Sequence, residues 1–448
     1  MNVIIPELLY TKNGFERNRA VLVQDGKIAK IGEAETLRKT PGAEIRTLPR
    51  QVLVPGTVNA HSHNFQILLR GIAADRPFLE WRDRSLYYYS PKMSLEDTYN
   101  GALFAFAEMM KRGVTCVGEF FYLHNFGTDS DEAVLKAARD LGLRIGLVRT
   151  MYDWTGAPSG YVESIETAVS STRALHRKYQ ADPMVSVLPA PHSLHAASTD
   201  MVLAGHELAA ELGTKFHMHV SEERFEVEQV KKEHGGMTPL EYLDHIGVVD
   251  DSLVIIHGVW LTPEEIDTLG VKGGSLIYCP SSNMFLADGI TDIPHMMKAG
   301  VKIALGADGA CGNNRISVFE EMRMCSLLQK AKTCDALCVN YQQTFEMGTA
   351  NGSDLLGFHG GRIEEGFDAD FTGIDLDDFS MMPVSDSLEQ VMPNIVYSLE
   401  PTAVRTVMVG GRTTVLNGVI QTVDEEEIRE RVRDTMRRLD EPERGGTS

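Results

Sequence analysis

The sequence predicts an α/β protein: a (β/α)8 barrel of the TIM type, joined to a small β-sandwich domain built from both chain termini. Two observations predict this fold. Hydrophobic β-branched runs and amphipathic helical stretches alternate through residues 55–361, as in a parallel barrel of eight strands. Residues 1–54 and 362–422 instead carry short strand patterns separated by turns, which we expect to form one domain beside the barrel. Residues 423–448 complete the chain as a C-terminal helix and tail.

Eight hydrophobic runs are the expected barrel strands, and the first of them leads directly into the motif Asn59-Ala60-His61-Ser62-His63. The runs span residues 52–63, 115–121, 144–149, 185–192, 215–220, 253–257, 275–279 and 301–308. Helical patterns lie between them and are followed by glycine, which is typical of helix C-termini. These patterns include residues 95–112, 131–141, 199–212 and 263–269.

The two ends of the chain have a different pattern. Residues 20–32 contain the pair Asp25-Gly26, which is a hairpin signal. Residues 362–371 and 404–412 likewise have the pattern of short strands separated by turns. Residues 424–438 have the pattern of a charged amphipathic helix, which we expect to pack on the small domain. We expect residues 439–448 to be frayed.

Composition and charge narrow the class of protein. The hydrophobic fraction of 43% and the charged fraction of 24% are those of a soluble globular protein. The net charge of −20 argues against nucleic acid and anionic membrane as partners, because both require a basic surface. The N-terminus lacks a signal-like segment, and no apolar run reaches the roughly 18 residues of a membrane span. We expect a cytoplasmic enzyme with a small-molecule substrate, assembled as a homo-oligomer.

Polar residues of catalytic type lie at the ends of five predicted strands. Active sites of parallel barrels lie at the carboxyl ends of the strands, so these side chains are expected to meet on one rim. The residues are His61 and His63 after strand one, His192 after strand four, His219 and Glu222 after strand five, His257 after strand six and Asp308 after strand eight.

These residue types predict a metal site. Three imidazoles and a carboxylate suit zinc or ferrous iron and leave a position open for water, whereas calcium and magnesium prefer oxygen ligands. No lysine ends strand four, where a second, bridged metal would need a carbamylated side chain. We therefore expect one divalent metal, zinc or iron, and hydrolytic chemistry.

Strand five offers two histidines on one face, His217 and His219. We favour His219 as the third imidazole ligand because it lies nearer the rim, three residues before Glu222. The Glu222 carboxylate is then placed to act as a general base, and His217 is expected to have a structural role. Glu223 and Glu226 are interpreted as the solvated start of the next helix.

Four motifs together resemble the amidohydrolase superfamily, and most closely its branch of mononuclear aminohydrolases and chlorohydrolases. The resemblance extends over essentially the whole chain, including the return segment 361–370. It implies that His61, His63, His219 and Asp308 hold the metal, and that Glu222, His257 and Asp308 move protons or polarise the water. The motifs are His61-Ser62-His63, His219-Val220-Ser221-Glu222, His257-Gly258, and Leu305-Gly306-Ala307-Asp308-Gly309-Ala310 followed by Asn313-Asn314.

The resemblance leaves two substrate classes open. The segments 68–71, 308–310 and 313–314 are similar to the deaminases of S-adenosylhomocysteine and methylthioadenosine. Other segments are similar to N-formimino-L-glutamate deiminase, although that family has an arginine where this chain has His195. The segments that are similar to the deiminase are Gln66, Trp81-Arg82, Glu119-Phe120-Phe121-Tyr122 and His192-Ser193-Leu194.

The sequence thus predicts a metal-dependent hydrolytic deaminase acting on an amidine-type C–N bond of a purine nucleoside or related heterocycle. A formimino-amino-acid deiminase, and a chlorohydrolase or cyclic amidase with the same metal site, are the alternatives. In the expected mechanism the metal lowers the pKa of a water, and Glu222 passes the water proton to the leaving nitrogen. His257 and Asp308 orient the hydroxide and His192 donates to the substrate. Residues for substrate recognition are Gln66, Arg82 and Tyr122, the last two placed in the loops after strands one and two.

Overall fold

A computed structural model of the chain describes residues 1–440. Its strands form two parallel sheets of four strands and one mixed sheet of nine. The chain is therefore an α/β protein with parallel strands, as the sequence predicts. The strands are β1 (Asn2–Thr11), β2 (Gly14–Glu16), β3 (Arg19–Gln24), β4 (Lys27–Glu33), β5 (Glu44–Pro55), β6 (Thr57–Ser62), β7 (Val114–Phe121), β8 (Arg144–Met151), β9 (Val185–Pro191), β10 (Phe216–Val220), β11 (Leu253–His257), β12 (Ser275–Tyr278), β13 (Lys302–Leu305), β14 (Phe371–Asp375), β15 (Val404–Val409), β16 (Arg412–Leu416) and β17 (Val419–Ile420).

Helices lie between the strands, and within residues 1–440 none is long and apolar enough to cross a membrane. Short 3-10 turns occur at Asn64–Leu69, Ser90–Lys92, Phe379–Met381 and Pro401–Ala403. The α-helices are α1 (Ala34–Leu37), α2 (Phe78–Arg84), α3 (Leu86–Tyr89), α4 (Leu95–Lys111), α5 (Thr128–Leu141), α6 (Ile165–Tyr179), α7 (Thr199–Leu212), α8 (Arg224–Glu233), α9 (Pro239–His245), α10 (Pro263–Val271), α11 (Pro280–Phe285), α12 (Ile293–Lys298), α13 (Val318–Thr333), α14 (Tyr341–Met347), α15 (Ala350–Leu355), α16 (Val391–Tyr397) and α17 (Glu425–Asp440).

Local capping chemistry explains where several helices begin and end. The Ser94 hydroxyl accepts the backbone N–H of Asp97, whose carboxylate accepts the backbone N–H of Ser94, so α4 begins with a capping box. Helices α5 and α7 end at Gly142 and Gly213, which have φ angles of 74° and 67°. Glycine adopts this left-handed conformation without the steric cost of a Cβ atom, so both helices stop where the sequence pattern places their ends.

The two parallel sheets, β6–β9 and β10–β13, each pair in chain order. They approach each other at both of their edges near the strand ends. The His219 backbone N–H donates to the His192 carbonyl at 2.9 Å, and the Asp308 N–H donates to the His61 carbonyl at 3.0 Å. The carboxyl ends of β6, β9, β10 and β13 are thereby brought to one region of the molecule.

The first predicted strand is divided between two sheets. The sequence pattern runs without interruption from residue 52 to residue 63, but β5 ends at Pro55 and pairs with β14, while β6 begins at Thr57 and pairs with β7. Gly56 lies between them, and a Cβ atom there would lie 2.1 Å from the Thr115 hydroxyl oxygen. The close packing of β7 against Gly56 thus requires glycine at the point where the chain changes sheets.

Strands from both ends of the chain join in the nine-stranded sheet. Its order is β17-β16-β15-β14-β5-β1-β3-β4, and β2 pairs with β1. The contact between the N-terminal and C-terminal strands is the antiparallel pair of β5 and β14. Buried apolar side chains from both parts form one cluster of Ile4, Leu9, Val21, Val23, Ile28, Leu48, Leu53, Ile363, Ala369, Phe371 and Met408.

The C-terminal helix α17 packs mainly on α4, and its first turn also contacts the nine-stranded sheet, where Glu425 accepts the backbone N–H of Ile420 at 3.1 Å. Thr435 donates to the Asp97 carboxylate at 3.0 Å, and Lys111 donates to the Glu425 carboxylate at 2.7 Å. Leu439, which the sequence places in a frayed tail, is 2% exposed in the last turn of the helix. Residues 441–448 of that predicted tail lie outside the described residues.

Candidate active site

The polar residues at the strand ends converge. The Nε2 atoms of His61 and His63 lie 3.6 and 3.4 Å from Asp308 Oδ1, and the rings of His61 and His219 have their centroids 4.9 Å apart. Asp308 follows β13, whereas the histidines come from β6, β10 and the residue after β6. Each of these side chains is buried. The structure therefore brings together residues that are up to 247 positions apart in the sequence.

The donor set suits a metal ion. The Nδ1 atoms of His63 and His219 face the carbonyl oxygens of Phe120 and His192 at 2.7 and 3.1 Å, which leaves each Nε2 directed towards the centre. His61 Nε2 is buried and has no hydrogen-bond partner among the described residues. A divalent metal would satisfy this atom, and imidazole nitrogens with one carboxylate are ligands that zinc prefers.

Protonation also suits metal binding. Burial lowers the pKa of His61 to about 3 and also lowers the pKa values of His63 and His219, so these imidazoles are neutral. Burial opposes ionisation of Asp308, but the adjacent imidazoles of His61 and His63 hold the pKa of this carboxyl well below its usual range. Neutral imidazoles and an ionised carboxylate are the forms that bind metals.

The two histidines of β10 lie in different surroundings. Within residues 1–440, the groups of histidine and acidic side chains within metal-binding distance include His219 and do not include His217. His217 is fully buried, and it is absent from the side chains that line the pocket. The assignment of His219 as the ligand stays a prediction that metal analysis can test.

Glu222 and His257 face each other beside the metal ligands. Glu222 Oε1 lies 3.3 Å from His257 Nε2. Burial, followed by the nearby charges of Asp288 and Asp308, raises the pKa of Glu222 well above its usual value. A carboxyl group of raised pKa can both accept and return a proton near neutral pH.

Glu226 is not solvated, contrary to the expectation from the sequence. It is 1% exposed, and its carboxylate accepts the backbone N–H of Glu222 at 3.0 Å. A carboxylate at the first turn of a helix binds free N–H groups and complements the helix dipole. Glu226 therefore holds the backbone of the segment that carries Glu222.

A second set of residues, which the sequence reasoning missed, orients His257 and Asp308. Ser282 donates to Asp308 Oδ2 at 2.5 Å. Asn283 Nδ2 lies 3.1 Å from His257 Nδ1 and donates to Asp288 Oδ2 at 2.9 Å. Ser282 and Asn283 lie in α11, four and five residues after the end of β12, the seventh strand of the parallel set, so the rule that polar residues follow strand ends was the signal that could have found them.

Three residues at these strand ends adopt the left-handed backbone region. The φ angles are 52° for Ser221, 70° for His257 and 58° for Asp308. For residues other than glycine this conformation costs on the order of 1–3 kcal/mol, and it persists where surrounding structure enforces it. The turn that it produces directs the side chains of His257 and Asp308 inwards at the ends of their strands.

A small pocket with a cavity volume of about 70 Å³ opens beside these residues. Gln66 donates to the Tyr122 hydroxyl at 2.9 Å within it, and His192 also lines it. Eight of the lining residues other than histidine are aromatic or apolar. Of these, Tyr122 was predicted as a site residue, and the others were not: Phe78, Trp81, Leu86, Tyr87, Tyr152, Tyr161 and Leu286.

Arg82 lines the pocket from helix α2, not from a loop as expected. Its Nε and Nη2 donate to Asp83 Oδ1 at 2.9 and 2.7 Å, and its guanidinium lies 4.4 Å from the centre of the Tyr87 ring. His195 lies on the same wall, and burial together with the Arg82 charge lowers its pKa to about 4. This side of the pocket therefore presents one cation and one neutral imidazole.

Comparison with known proteins gives relatives over nearly the full length. The family model described as "Amidohydrolase family" matches residues 52–414. A protein from Syntrophomonas wolfei named 5-methylthioadenosine/S-adenosylhomocysteine deaminase is 34% identical over 435 residues, covering 95% of this chain and 96% of its own. A protein of the same name from Pyrococcus furiosus is 31% identical over 411 residues, covering 91% and 93%.

Solved structures show the same fold. An adenosine deaminase from Xanthomonas campestris with bound zinc superposes with a TM-score of 0.90 at 27% identity and covers 98% of both chains. Atrazine chlorohydrolase from Arthrobacter aurescens, in complex with zinc, superposes with a TM-score of 0.89 at 21% identity, covering 97% of this chain and 100% of its own. At that identity the second likeness concerns the fold alone.

Proposed function

The chain belongs to the amidohydrolase family, and we propose that it is a metal-dependent deaminase that hydrolyses an amidine-type C–N bond of a purine nucleoside or related heterocycle and releases ammonia. The observation that carries this proposal is the convergence of the His61, His63 and Asp308 ligand atoms beside Glu222 in an aromatic pocket. The names of the relatives that are 31% and 34% identical support the same reaction class.

The proposed metal site holds one divalent ion, zinc, through His61, His63, His219 and Asp308. Zinc is bound in the adenosine deaminase from Xanthomonas campestris, and iron remains the alternative for this ligand set. When bound there, the metal lowers the pKa of a water towards neutrality and acts as a Lewis acid.

The protein side chains perform the proton transfers in the proposed reaction. Glu222 accepts the proton of the attacking water and delivers it to the leaving amino nitrogen. His257, 3.3 Å from Glu222, orients the attacking oxygen together with Asp308. His192, on the pocket wall, donates a hydrogen bond to the substrate. The buried position of these groups excludes bulk water, which strengthens each electrostatic interaction.

The pocket wall supports a planar heterocycle as the substrate. Tyr87, Tyr122, Tyr152 and Tyr161 offer ring faces for stacking and hydroxyl groups for hydrogen bonds. Gln66 and Tyr122, already hydrogen-bonded to each other, are proposed to contact the reacting end of the substrate. Arg82 is proposed to contact a carboxylate or ring carbonyl at the other end.

The second candidate is a formimino-amino-acid deiminase, favoured by the presence of Gln66, Arg82, Tyr122 and His192 in one pocket. That reaction has the same chemistry, because hydroxide adds to an amidine-like carbon and ammonia leaves. His195 speaks against it, since a neutral imidazole binds a carboxylate less strongly than a guanidinium. A chlorohydrolase or cyclic amidase would use the same metal site and would release halide or an acid instead of ammonia.

For the architecture we propose that β6–β13 close into one eight-stranded barrel, residues 55–361. The hydrogen bonds between the ends of β9 and β10, and between the residues after β13 and β6, support this closure. We further propose that the nine-stranded sheet forms a small sandwich-like domain of residues 1–54 and 362–422, with residues 423–448 as an appended segment. Assembly as a homo-oligomer and a cytoplasmic location stay predictions.

An ammonia-release screen of the zinc-loaded protein tests the function. Nucleosides including 5′-methylthioadenosine, free bases, pterins and formimino acids form the panel. We expect ammonia from a nucleoside or related heterocycle, while release from formimino acids alone would favour the second candidate. No ammonia from any amidine substrate would overturn the deaminase assignment.

Glu222→Gln tests the proposed shuttle with the substrate that the screen identifies. We expect the variant to keep its metal and to lose turnover by about 100-fold or more, the usual scale for a general acid-base group. If its turnover stayed close to that of the wild type, another residue would have to carry the proton.

A further inference from the structure

Two of the pocket tyrosines lie on one loop that we call the tyrosine loop, residues 152–163, between β8 and α6. Tyr152 and Tyr161 both line the pocket. The two ends of the loop are joined, because the Glu163 backbone N–H donates to the Tyr152 carbonyl at 2.8 Å. The residues that carry both rings therefore start from one joined base, as in a compact loop whose ends lie close together.

A buried ion-pair network lies beneath the base of this loop. Both Nη atoms of Arg149 donate to the Glu163 carboxylate at 2.9 Å, and Arg149 Nε donates to Asp131 Oδ2 at 3.0 Å. The side chains of Arg149, Asp131 and Glu163 are 0%, 0% and 8% exposed. His124 lies beside them, with Nδ1 3.6 Å from Asp131 Oδ1. The network joins the end of β8, helix α5 and the loop.

Further contacts fix the second half of the loop against neighbouring segments. Tyr161 donates to the Ser90 hydroxyl at 2.8 Å, and the His124 N–H donates to the Gly160 carbonyl at 2.8 Å. Gly160 packs closely on Asn125, since a Cβ atom at this glycine would lie 1.8 Å from Asn125 Oδ1. The second half of the loop is thus held by hydrogen bonds and close packing, and its base is held by charges.

We propose that Arg149 and Glu163 are positioning residues that set the place of Tyr152 and Tyr161, and through them the shape of the substrate pocket, without touching the substrate. None of Arg149, Asp131 and Glu163 is among the pocket-lining residues. Desolvation makes a buried ion pair a poor source of stability compared with apolar packing. The bidentate arginine fork does, however, define both the distance and the angle between β8 and the loop.

The consequence for catalysis rests on the proposed function, but the loop position can be measured without a substrate. Trp154, on the tyrosine loop, is 41% exposed, so chymotrypsin cleavage after this residue reports how firmly the loop is held. Cleavage at this bond is identified by mass spectrometry of the zinc-loaded full chain. Glu163→Gln keeps the shape of the side chain and removes its charge. Arg149→Lys keeps the charge and removes the planar fork.

We expect both variants to be cleaved after Trp154 at least about 10-fold faster than the wild type, with zinc content unchanged. For 5′-methylthioadenosine we expect KM to rise by about 10-fold or more, with a smaller change in kcat. Glu211→Gln is the matched control, because Glu211 accepts an arginine fork from Arg173 on the surface, away from the pocket lining. This control should keep wild-type values for both measurements.

Wild-type cleavage at Trp154 in both variants would overturn the proposal, as would a fall in kcat with KM unchanged. Wild-type behaviour of Arg149→Lys alone would also overturn it, because charge without the fork would then suffice. If Glu163→Gln fails to fold, Arg149→Lys still gives both readouts. Should 5′-methylthioadenosine release no ammonia, the proposed substrate fails while the cleavage rates still decide the role of the network.

Discussion

At the scale of single residues, the candidate site depends on which histidine nitrogen is free. The Nδ1 atoms of His63 and His219 are hydrogen-bonded to backbone carbonyls, so the Nε2 atom of each ring is directed towards the same point. The left-handed conformations of His257 and Asp308 direct two further side chains there. The residue types at the strand ends could be read from the sequence, whereas these ring orientations could not, because they depend on carbonyls of neighbouring strands.

The ligand assignment predicts different outcomes for the two histidines of β10. His219→Ala should lose about one equivalent of bound zinc, because three imidazoles and a carboxylate complete the site. His217→Ala should keep its zinc and is the matched control on the same strand. Metal analysis of both purified variants measures this, and full occupancy in His219→Ala, or loss only in His217→Ala, would contradict the assignment.

The proposed role of Arg82 predicts a defect in substrate binding. Arg82→Met should raise KM, or lower kcat/KM by on the order of 10- to 100-fold, because a lost hydrogen bond to a charged group is worth about 1.5–3 kcal/mol. Zinc content should not change. Arg84→Met on the same helix is the control, since Arg84 pairs with Glu80 and is 62% exposed. Kinetics of Arg82→Met equal to those of the wild type would remove Arg82 from the site.

At the scale of elements, local patterns located the parallel strands and five of the helices, while the packing partners of these elements depended on the fold. The predicted helix 199–212 is α7 with the same bounds, and the predicted strand 253–257 is β11. The continuous pattern from residue 52 to residue 63 is two strands, because Gly56 passes against Thr115 of a strand distant in sequence. Similarly, α17 was predicted as a helix, but its docking on α4 depends on contacts that hydrophobic periodicity does not specify.

The docking of α17 predicts that its last turn contributes to stability. Leu439→Ala should lower the free energy of unfolding by about 2 kcal/mol or more, the lower end of the range for truncating a buried leucine. Arg437→Ala is the control, because its side chain is 78% exposed on the same turn. Urea denaturation of both variants measures this, and equal stability of Leu439→Ala and the wild type would indicate a frayed end after all.

At the scale of the whole molecule, charges buried between segments hold the terminal sheet against the parallel strands. Arg144, at the start of β8, donates to both carboxylate oxygens of Asp370 at 2.8 and 3.1 Å. Asp370 also accepts the Gly410 backbone N–H at 2.7 Å and directly precedes β14. One carboxylate therefore connects β8, β14 and the β15–β16 turn.

This connection predicts a large loss of stability when one partner is removed. Arg144→Met should lower the free energy of unfolding by about 3–5 kcal/mol, because it leaves Asp370 buried without its cation. Arg173→Met breaks a surface pair with Glu211 and should cost about 0–1 kcal/mol. The comparison uses the urea midpoint and slope of both variants, and a similar small loss in each would show that the buried pair does not hold the two sheets together.

The sequence by itself determined the α/β class, the order of the parallel strands and the residue types that surround the metal site. The class and the strands could be predicted because helix and strand periodicities are local. The site residues could be predicted because the carboxyl ends of parallel strands lie at the same edge of a sheet. Only the tertiary structure placed Ser282 and Asn283 behind the site, the tyrosine loop on its wall and Arg149 beneath that loop. These positions depend on contacts between residues far apart in the chain, and no local pattern encodes which distant partner a buried polar side chain will meet.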